Sequence, residues 1–185
     1  FSYLNIAPAL LGADFDGLAG TALASGEISK VNHIGLAAEL EDPDRYGSFM
    51  VWNTNPVASA AEQTRLRSAL SRTDLFTVVI DCFATDTVDY ADIVLPAASF
   101  LEFDDITFSY MNPIIGAQTK GREPIGDALP NMEIFRRLAT AMGFDEPALH
   151  EPDRVMIERL LEQMSVGLSF DELADRGHVW LSDEP

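Results

Sequence analysis

The segment at residues 76–96, FTVVIDCFATDTVDYADIVLP, decides the predicted fold of this chain. It opens with apolar and β-branched residues, which is typical of a strand buried on both faces of a parallel sheet. Asp81 ends this strand, a Thr-containing turn follows, and a second short strand closes at Leu95-Pro96. Ligands of open α/β sheets bind just outside the carboxyl ends of the strands. We therefore expect Asp81, Thr85 and Thr87 to lie where a small polar ligand binds.

The sequence before this segment extends it into a predicted βαβ unit. Asn55-Pro56 ends an earlier strand and begins a helix over residues 57–71, and the next strand follows after a short connection. This order is typical of a right-handed crossover between parallel strands. We therefore predict an α/β fold, a Rossmann-like three-layer sheet with helices on both faces, as part of a domain. The predicted strands are residues 48–52 (SFMVW), 75–80 and 92–95.

Further elements are predicted outside this unit. Residues before Asp44 are typical of helices and loops, whereas residues 103–128 are rich in Gly, Pro and Thr and are predicted to be irregular. We divide the chain into a Rossmann-like domain over residues 1–150 and a helical extension over residues 151–185. The remaining predicted elements are helices at 34–40 and 131–142, one after Pro152, and one that begins with the capping box Ser169–Glu172 and ends near Gly177. Residues 178–181 form a terminal strand or lead into a further domain.

The composition restricts the classes of protein. The 30 acidic residues exceed the 12 basic ones and give a net charge of −18, so we expect no nucleic-acid binding. The acidity serves solubility or salt tolerance, or it forms a docking face for a basic partner. No apolar run approaches the roughly 20 residues of a transmembrane helix. The single cysteine, Cys82, excludes an internal disulfide and a Cys-ligated iron–sulfur cluster within this chain.

The start of the chain bears on its origin. It begins at Phe1 without Met and without a basic-then-apolar secretion signal, so we expect a trimmed or partial polypeptide. The expected compartment is the cytoplasm, or the periplasm if a signal precedes Phe1.

The three histidines, His33, His150 and His178, are scattered along the chain. We therefore expect them to have surface or capping roles, and we assign no metal ligands.

Asn55 has two interpretations at the start of its helix. Asn is a favoured N-cap, and Pro56 stands at the favoured first helical position, so local structure alone explains the pair. A turn from strand to helix also presents free N–H groups and the positive end of the helix dipole to an anion. Both interpretations stay open from the spacing.

Asp81 also has a structural and a functional interpretation. It caps the following turn, or it recognises a nucleobase, with Thr85 fixing the turn or bonding to the same ligand. The guanine edge offers two adjacent donors, the ring N–H and the exocyclic amine, which match the two acceptor oxygens of a carboxylate. Such bidentate, charge-assisted pairs are about twice as strong as neutral hydrogen bonds. Adenine lacks this donor pair, so the contact would select guanine.

Asn131 caps its predicted helix or reaches a ligand from the helix start.

Several motifs are absent from the sequence: GxGxxG after a strand, the GxxxxGK phosphate loop, and the GxSxG nucleophile turn. Glu102, Asp104 and Asp105 could support acid–base chemistry, but without a partner motif they are interpreted as turn residues. No catalytic residue is assigned.

The ordered series of motifs resembles the molybdopterin oxidoreductase family, the enzymes of the DMSO reductase, formate dehydrogenase and nitrate reductase type. Those enzymes carry a bis(molybdopterin guanine dinucleotide) cofactor with molybdenum or tungsten. The resemblance covers residues 45–145 in order. The matching segments are VWNTNP at 51–56, FTVVIDCFATDT at 76–87, YADIVLP at 90–96, Glu102, and PIGDALPNMEIFRRLATAMGF at 124–144.

The resemblance implies a role for this region. It looks like the family's Rossmann-like third domain, which holds the guanosine end of one pterin dinucleotide. By motif position, Asn55 of the Asn55-Pro56 turn would meet the nucleotide, Ile80 and Asp81 the guanine and ribose, and Asn131 the far side of the pocket. The implied partners are the remaining domains of the same subunit and an electron-transfer subunit.

The chain also departs from the family pattern. The family's metal ligand and iron–sulfur cysteines precede this region, and the C-terminal barrel follows it, so any iron–sulfur cluster lies outside this chain. We therefore expect an oxidoreductase only in the intact protein and no catalysis by this chain alone. FDDITFSYMNP at residues 103–113 replaces the family's Gly/Asn-rich segment. The alternatives are a non-catalytic scaffold relative in an electron-transfer complex, and a stand-alone acidic interaction module.

Overall fold

The structure is a computed structural model that describes residues 31–108 and 113–181. These residues form two compact units. The parallel-sheet unit comprises residues 31–98 and 125–134, and the antiparallel-sheet unit comprises 99–108, 113–124 and 135–181. The α/β fold class is confirmed, because helices alternate with parallel strands in the first unit.

Twelve helices and strands are labelled in chain order. The helices are α1 (Leu36–Leu40), α2 (Pro56–Ser59), α3 (Gln63–Leu70), α4 (Asn131–Met142), α5 (Asp153–Gln163) and α6 (Phe170–Arg176). The strands are β1 (Ser48–Trp52), β2 (Phe76–Asp81), β3 (Ile93–Pro96), β4 (Asp105–Phe108), β5 (Ile114–Gln118) and β6 (His178–Trp180). Short 3-10 helices lie at His33–Gly35, Asp86–Tyr90, Phe100–Glu102 and Pro147–Leu149.

The parallel-sheet unit has the strand order β1-β2-β3, with β2 in the centre. Its register aligns Val51 with Val79 and Val79 with Val94. An isolated parallel bridge pairs Ala97 with Leu129 and continues the ladder beyond β3. Helices α1 and α3 contact each other, and their buried apolar residues form one core. The buried members of that core are Ala37, Leu40, Val57, Ala60, Leu66, Ala69, Leu70 and Leu75.

The helix predicted over residues 57–71 is wrong as a single element, because the chain breaks it into α2 and α3. Glu62 between them adopts the left-handed conformation, with φ 53°. Nine residues separate Val57 from Leu66, which is about 2.5 helical turns and places them on opposite sides of a continuous helix. The break changes the direction of the second helix, so that Val57 and Leu66 are both fully buried in the same core.

The irregular segment predicted at residues 103–128 is also wrong, because it contains β4 and β5. These strands pair antiparallel, and β6 adds to the other side of β5. The glycine content was one reason for predicting an irregular segment, but Gly116 belongs to β5. A Cβ at this position would lie 3.0 Å from the carbonyl oxygen of Gly177. The core of this unit combines the sheet with α5 and α6, through Ile106, Ile115, Ile157, Leu161, Met164, Phe170 and Leu173.

Several predictions from local signals are confirmed. The helix at residues 131–142 and the helix after Pro152 form, and residues 178–180 adopt the strand that was one of two alternatives for the tail. Ser169 and Glu172 make the predicted capping box, and Gly177 ends α6 with a φ of 86°. The elements predicted before residue 31 lie outside the described residues. In the part of the chain that the structure describes, no helix is long and apolar enough to cross a membrane.

Candidate functional site

The carboxyl ends of β1, β2 and β3 lie at the same edge of the parallel sheet, because the three strands run in the same direction. We call this edge, with the turns that leave it, the carboxyl edge. Residues 53–56 leave β1 and residues 82–87 leave β2. Leu129 bonds beside the end of β3, through Leu129 N to Pro96 O at 3.1 Å and Ala98 N to Leu129 O at 2.8 Å. Asn131 therefore begins α4 next to this edge.

The turn after β1 is fixed by its backbone. Asn53 has a positive φ of 46°, a conformation that Asn tolerates better than most residues. Its N–H donates to the carbonyl of Ile80 at 2.9 Å, which ties the turn to the end of β2. The side chain of Pro56 is buried at the first position of α2.

Asn55 occupies the N-cap position of α2, but its side chain does not cap the helix. The Oδ1 atom accepts a hydrogen bond from the Thr87 hydroxyl at 2.7 Å, and the Nδ2 atom donates to Asp86 Oδ2 at 3.2 Å. The N–H of Val57 donates to Thr87 Oγ1 at 3.3 Å, and those of Ala58 and Ser59 donate to the Asn55 carbonyl. The first N–H groups of α2 are therefore engaged by described residues, so this geometry gives little support to the anion-binding interpretation.

Asp81 is half-buried at the end of the central strand. Its Oδ1 atom accepts a hydrogen bond from the N–H of Phe83 at 3.0 Å, so the predicted turn-capping role is present. Among the described residues, no hydrogen bond reaches the second oxygen, Oδ2. Phe83, which donates this bond, is 72% exposed. The carboxylate therefore keeps acceptor capacity for a ligand while it caps its own turn.

Thr85 and Asn131 each have a buried polar atom that no described residue engages. The Oγ1 atom of Thr85 and the Oδ1 atom of Asn131 make no hydrogen bond with any described residue. Buried polar atoms are rarely left in this state, and each costs about 1–3 kcal/mol. Thr77 has the same property at the other end of β2, so an unpartnered atom indicates a ligand only together with its position.

Ile80 is placed differently from the polar residues. Its side chain is 0% exposed, and its carbonyl accepts the hydrogen bond from Asn53 described above. It therefore lies beneath the carboxyl edge and supports the end of β2.

Asp86 was not assigned to the site from the sequence. The alternation Thr85-Asp86-Thr87 after a strand is the only signal in the sequence that points to it.

The acidic residues at 102–105 have structural partners within the antiparallel-sheet unit. Glu102 is buried and forms a capping box with Ser99, whose N–H donates to Glu102 Oε2 at 2.9 Å. Asp104 accepts from the N–H of Lys120 at 2.7 Å and lies 3.7 Å from Arg154. Asp105 accepts from the N–H of Ile106 at 2.8 Å within β4. These contacts agree with their interpretation as structural residues.

No group of three or more His, Cys, Asp or Glu side chains with metal-binding geometry occurs among the described residues. Cys82 is exposed in the turn after Asp81. Asp81, Thr85 and Asn131 at the carboxyl edge each keep an oxygen that no described residue engages, whereas Asn55, Asp86 and Thr87 bond to one another.

Comparison with known proteins identifies the family. The family model for molybdopterin oxidoreductases matches residues 17–141. The "Probable oxidoreductase YoaE" of Bacillus subtilis (strain 168) is 42% identical over 133 residues, which are 71% of this chain and 19% of that protein. A "Putative formate dehydrogenase" of Staphylococcus aureus (strain USA300) is 38% identical over 109 residues, which are 58% of this chain and 11% of that protein.

A solved structure supports the fold. Acetylene hydratase from Pelobacter acetylenicus superposes with a TM-score of 0.69 at 23% identity, over 81% of this chain and 21% of that one. The chain thus spans about a fifth or less of the length of each of these proteins. The family model covers most of the chain, and its match includes β1, β2, β3 and the carboxyl edge. The chain therefore belongs to the molybdopterin oxidoreductase family.

Proposed function

We propose that this chain holds the guanosine end of a molybdopterin guanine dinucleotide, as part of the catalytic subunit of a molybdenum or tungsten oxidoreductase. The observation that carries the proposal is the carboxylate of Asp81 at the end of the central strand, with one oxygen free of hydrogen bonds from described residues. Membership of the family supplies the class of cofactor.

The chemistry of Asp81 suits guanine. An ionised carboxylate has about four lone-pair positions on its two oxygens, so the bond from Phe83 leaves room for two further donors. The ring N–H and the exocyclic amine of guanine are two such donors, side by side. Adenine presents an acceptor in place of the ring N–H, so the same carboxylate would reject it.

Thr85 and Asn131 suit the rest of the nucleotide. The hydroxyl of Thr85 can donate or accept, and the amide of Asn131 offers an acceptor oxygen with a donor beside it. Both oxygens are buried without a described partner, so a bound nucleotide would recover the hydrogen bonds that they lack. Asn55, Pro56 and Ile80 would contribute the shape of the edge, with Asn55 also holding an unused N–H.

The cofactor, when bound, would supply the metal centre at which two electrons and an oxygen atom or proton are transferred. The residues of this chain would bind the nucleotide tail and so orient the metal-bearing end, which is the usual division of work between cofactor and protein. The metal ligand, any iron–sulfur cluster and the electron-transfer partner belong to other parts of the intact protein. This chain by itself would be catalytically silent.

Asp81→Asn in the intact enzyme tests the proposal. The amide can still accept the hydrogen bond from Phe83, but it replaces one acceptor with a donor that faces a donor of guanine. We expect guanine retention to fall by about tenfold or more, the usual worth of a charge-assisted pair. The measurement is the guanine released by acid hydrolysis per mole of purified enzyme, together with the molybdenum and tungsten content. An unchanged guanine content would contradict the assigned role.

The scaffold alternative predicts a different outcome. A non-catalytic relative would be purified without guanine and without molybdenum or tungsten, and Asp81→Asn would then change only the local turn. Asp89→Ala is the matched control, because Asp89 is an exposed acid in the following 3-10 helix. It should leave the guanine content at the wild-type level in either case.

A further inference from the structure

One chain of hydrogen bonds joins the two turns of the carboxyl edge. It starts at the N–H of Val57 in α2, passes through the Thr87 hydroxyl and the Asn55 amide, and ends at the Asp86 carboxylate. The three donor–acceptor distances are 3.3, 2.7 and 3.2 Å. Asn55 belongs to the turn after β1, whereas Asp86 and Thr87 belong to the 3-10 helix after β2. The Asn55 side chain therefore connects the two turns directly.

The chemistry of its partners fixes the orientation of the Asn55 amide. An ionised carboxylate only accepts hydrogen bonds, so Asp86 requires the Nδ2 side of the amide. The opposite side, Oδ1, then faces Thr87, whose hydroxyl has one proton to donate and can still accept from Val57. Flipping the amide would set its oxygen against the Asp86 carboxylate.

Burial makes the middle of this series of hydrogen bonds costly to disturb. Thr87 and Val57 are both 0% exposed, and the hydroxyl of Thr87 lies in the interior between the two turns. Without that hydroxyl, the N–H of Val57 and the oxygen of Asn55 would each lose a partner. Asp86, at the other end, is exposed. The series of hydrogen bonds therefore has a buried end at Val57 and an exposed end at Asp86.

We infer that Thr87 and Asp86 are positioning residues for the nucleotide site. They hold the Asn55 amide in one orientation and fix the turn after β1 against the turn that carries Asp81 and Thr85. One N–H and one acceptor lone pair of the Asn55 amide are not engaged by described residues and would be available to a ligand. This inference rests on the proposed function, since the fixed turns serve binding only if the carboxyl edge holds the nucleotide.

The test measures how fast the intact enzyme loses guanine during dialysis. Thr87→Val keeps the shape but removes the hydroxyl and with it two hydrogen bonds, and we expect guanine loss to become at least about fivefold faster, since one hydrogen bond alone usually has about that effect. Thr87→Ser retains the hydroxyl and should stay near the wild-type rate. Thr77→Val is the matched control, because Thr77 is an equally buried threonine whose hydroxyl has no described partner. Its rate of guanine loss should not change.

Two further variants separate positioning from general stability. Leu173→Ala removes a fully buried side chain from the core of the antiparallel-sheet unit and should lower the melting temperature without a matching increase in guanine loss. Combining Thr87→Val with Asn55→Ala should increase guanine loss by less than the product of the two single effects, because both changes break the bond between Thr87 and Asn55. Equal guanine loss in Thr87→Val and Leu173→Ala at equal loss of stability would overturn the inference.

Asp86→Ala keeps the inference testable if Thr87→Val does not fold. Asp86 is exposed, so the variant should fold, and we expect about a twofold faster loss of guanine than in Asp89→Ala, since the bond lies at the surface. Equal rates in these two variants would overturn the inference. A wild-type enzyme without guanine, or an unchanged content in Asp81→Asn, would instead refute the proposed function itself.

Discussion

In the parallel-sheet unit, three polar side chains beyond the strand ends keep acceptor oxygens that no described residue engages, whereas in the antiparallel-sheet unit charged side chains pair with one another beside the core. Ion pairs at the surface occur in both units, as between Arg65 and Glu41 at 2.5 Å in the first. Asp81, Thr85 and Asn131 illustrate the first pattern. Arg154 illustrates the second, since its guanidinium lies 3.0 Å from Asp171 and stacks 4.1 Å from the Phe170 ring centroid. Under the proposed function, we expect the first group of side chains to serve the ligand and the second to stabilise its unit.

The largest expected effect concerns the core of the antiparallel-sheet unit. Phe170 is 1% exposed, so Phe170→Ala should lower the free energy of unfolding by about 3–5 kcal/mol. The measurement is urea unfolding followed by the fluorescence of Trp180 in a Trp52→Phe background, which isolates a tryptophan of β6. Phe100→Ala, at a position 64% exposed in the same unit, is the control and should cost far less. Similar costs for both variants would contradict the assignment of Phe170 to the core of this unit.

A pair of threonine variants sharpens the comparison within the parallel-sheet unit. Thr85→Val and Thr77→Val each remove a buried hydroxyl without a described partner, so each should raise the free energy of unfolding by about 1 kcal/mol. Only Thr85 lies at the carboxyl edge, and only Thr85→Val should lower guanine retention in the intact enzyme. The measurements are urea unfolding and guanine content. Equal guanine retention in the two variants would remove Thr85 from the proposed site.

The capping box of α6 tests whether polar groups in the antiparallel-sheet unit serve stability alone. The Ser169 hydroxyl accepts from the N–H of Glu172 at 3.3 Å, so Ser169→Ala should cost about 1 kcal/mol. Urea unfolding followed by Trp180 fluorescence gives this cost. Guanine retention should stay at the wild-type level. A loss of guanine would show that a residue of the antiparallel-sheet unit also affects nucleotide binding.

The smallest expected effect is a dependence on pH. Hydrogen bonds from the backbone N–H and the hydroxyl of Ser169 lower the pKa of Glu172 below its usual value of 4.5. A carboxyl whose pKa is lowered by folding stabilises the protein above its unfolded pKa, and this stabilisation disappears as the pH falls through the folded pKa. Glu172→Gln should therefore lose less stability than the wild type on acidification below pH 4.5. Thermal unfolding at several pH values checks this, and identical pH profiles would contradict it.

Elements with strong local signals could be predicted from the sequence. The β-branched run of β2, the capping box of α6 and the apolar spacing of α5 each specify an element through neighbours within a few residues. The family and the positions of Asn55, Asp81 and Asn131 at element boundaries also followed from motif order. Their roles in binding stay predictions that the experiments above can test.

Other features depended on contacts between distant residues. The strands β4 and β5 were missed because β5 is stabilised by pairing with β6, at the far end of the described chain. The break between α2 and α3 was missed because it serves the burial of Val57 and Leu66 in one core, which no local pattern specifies. The contact between Asp86 and Asn55 was missed because the two residues lie in different turns.

The sequence by itself determined the parallel strands, their turns and the residue types at the strand ends, because hydrophobic periodicity and turn chemistry act between near neighbours. Only the tertiary structure decided which of those polar groups are already satisfied. It pairs the Asn55 amide with Thr87 and Asp86, and it leaves Asp81 Oδ2, Thr85 Oγ1 and Asn131 Oδ1 without described partners. The physical reason is that a hydrogen bond between side chains needs two atoms within about 3 Å, a condition set by the packing of the whole unit.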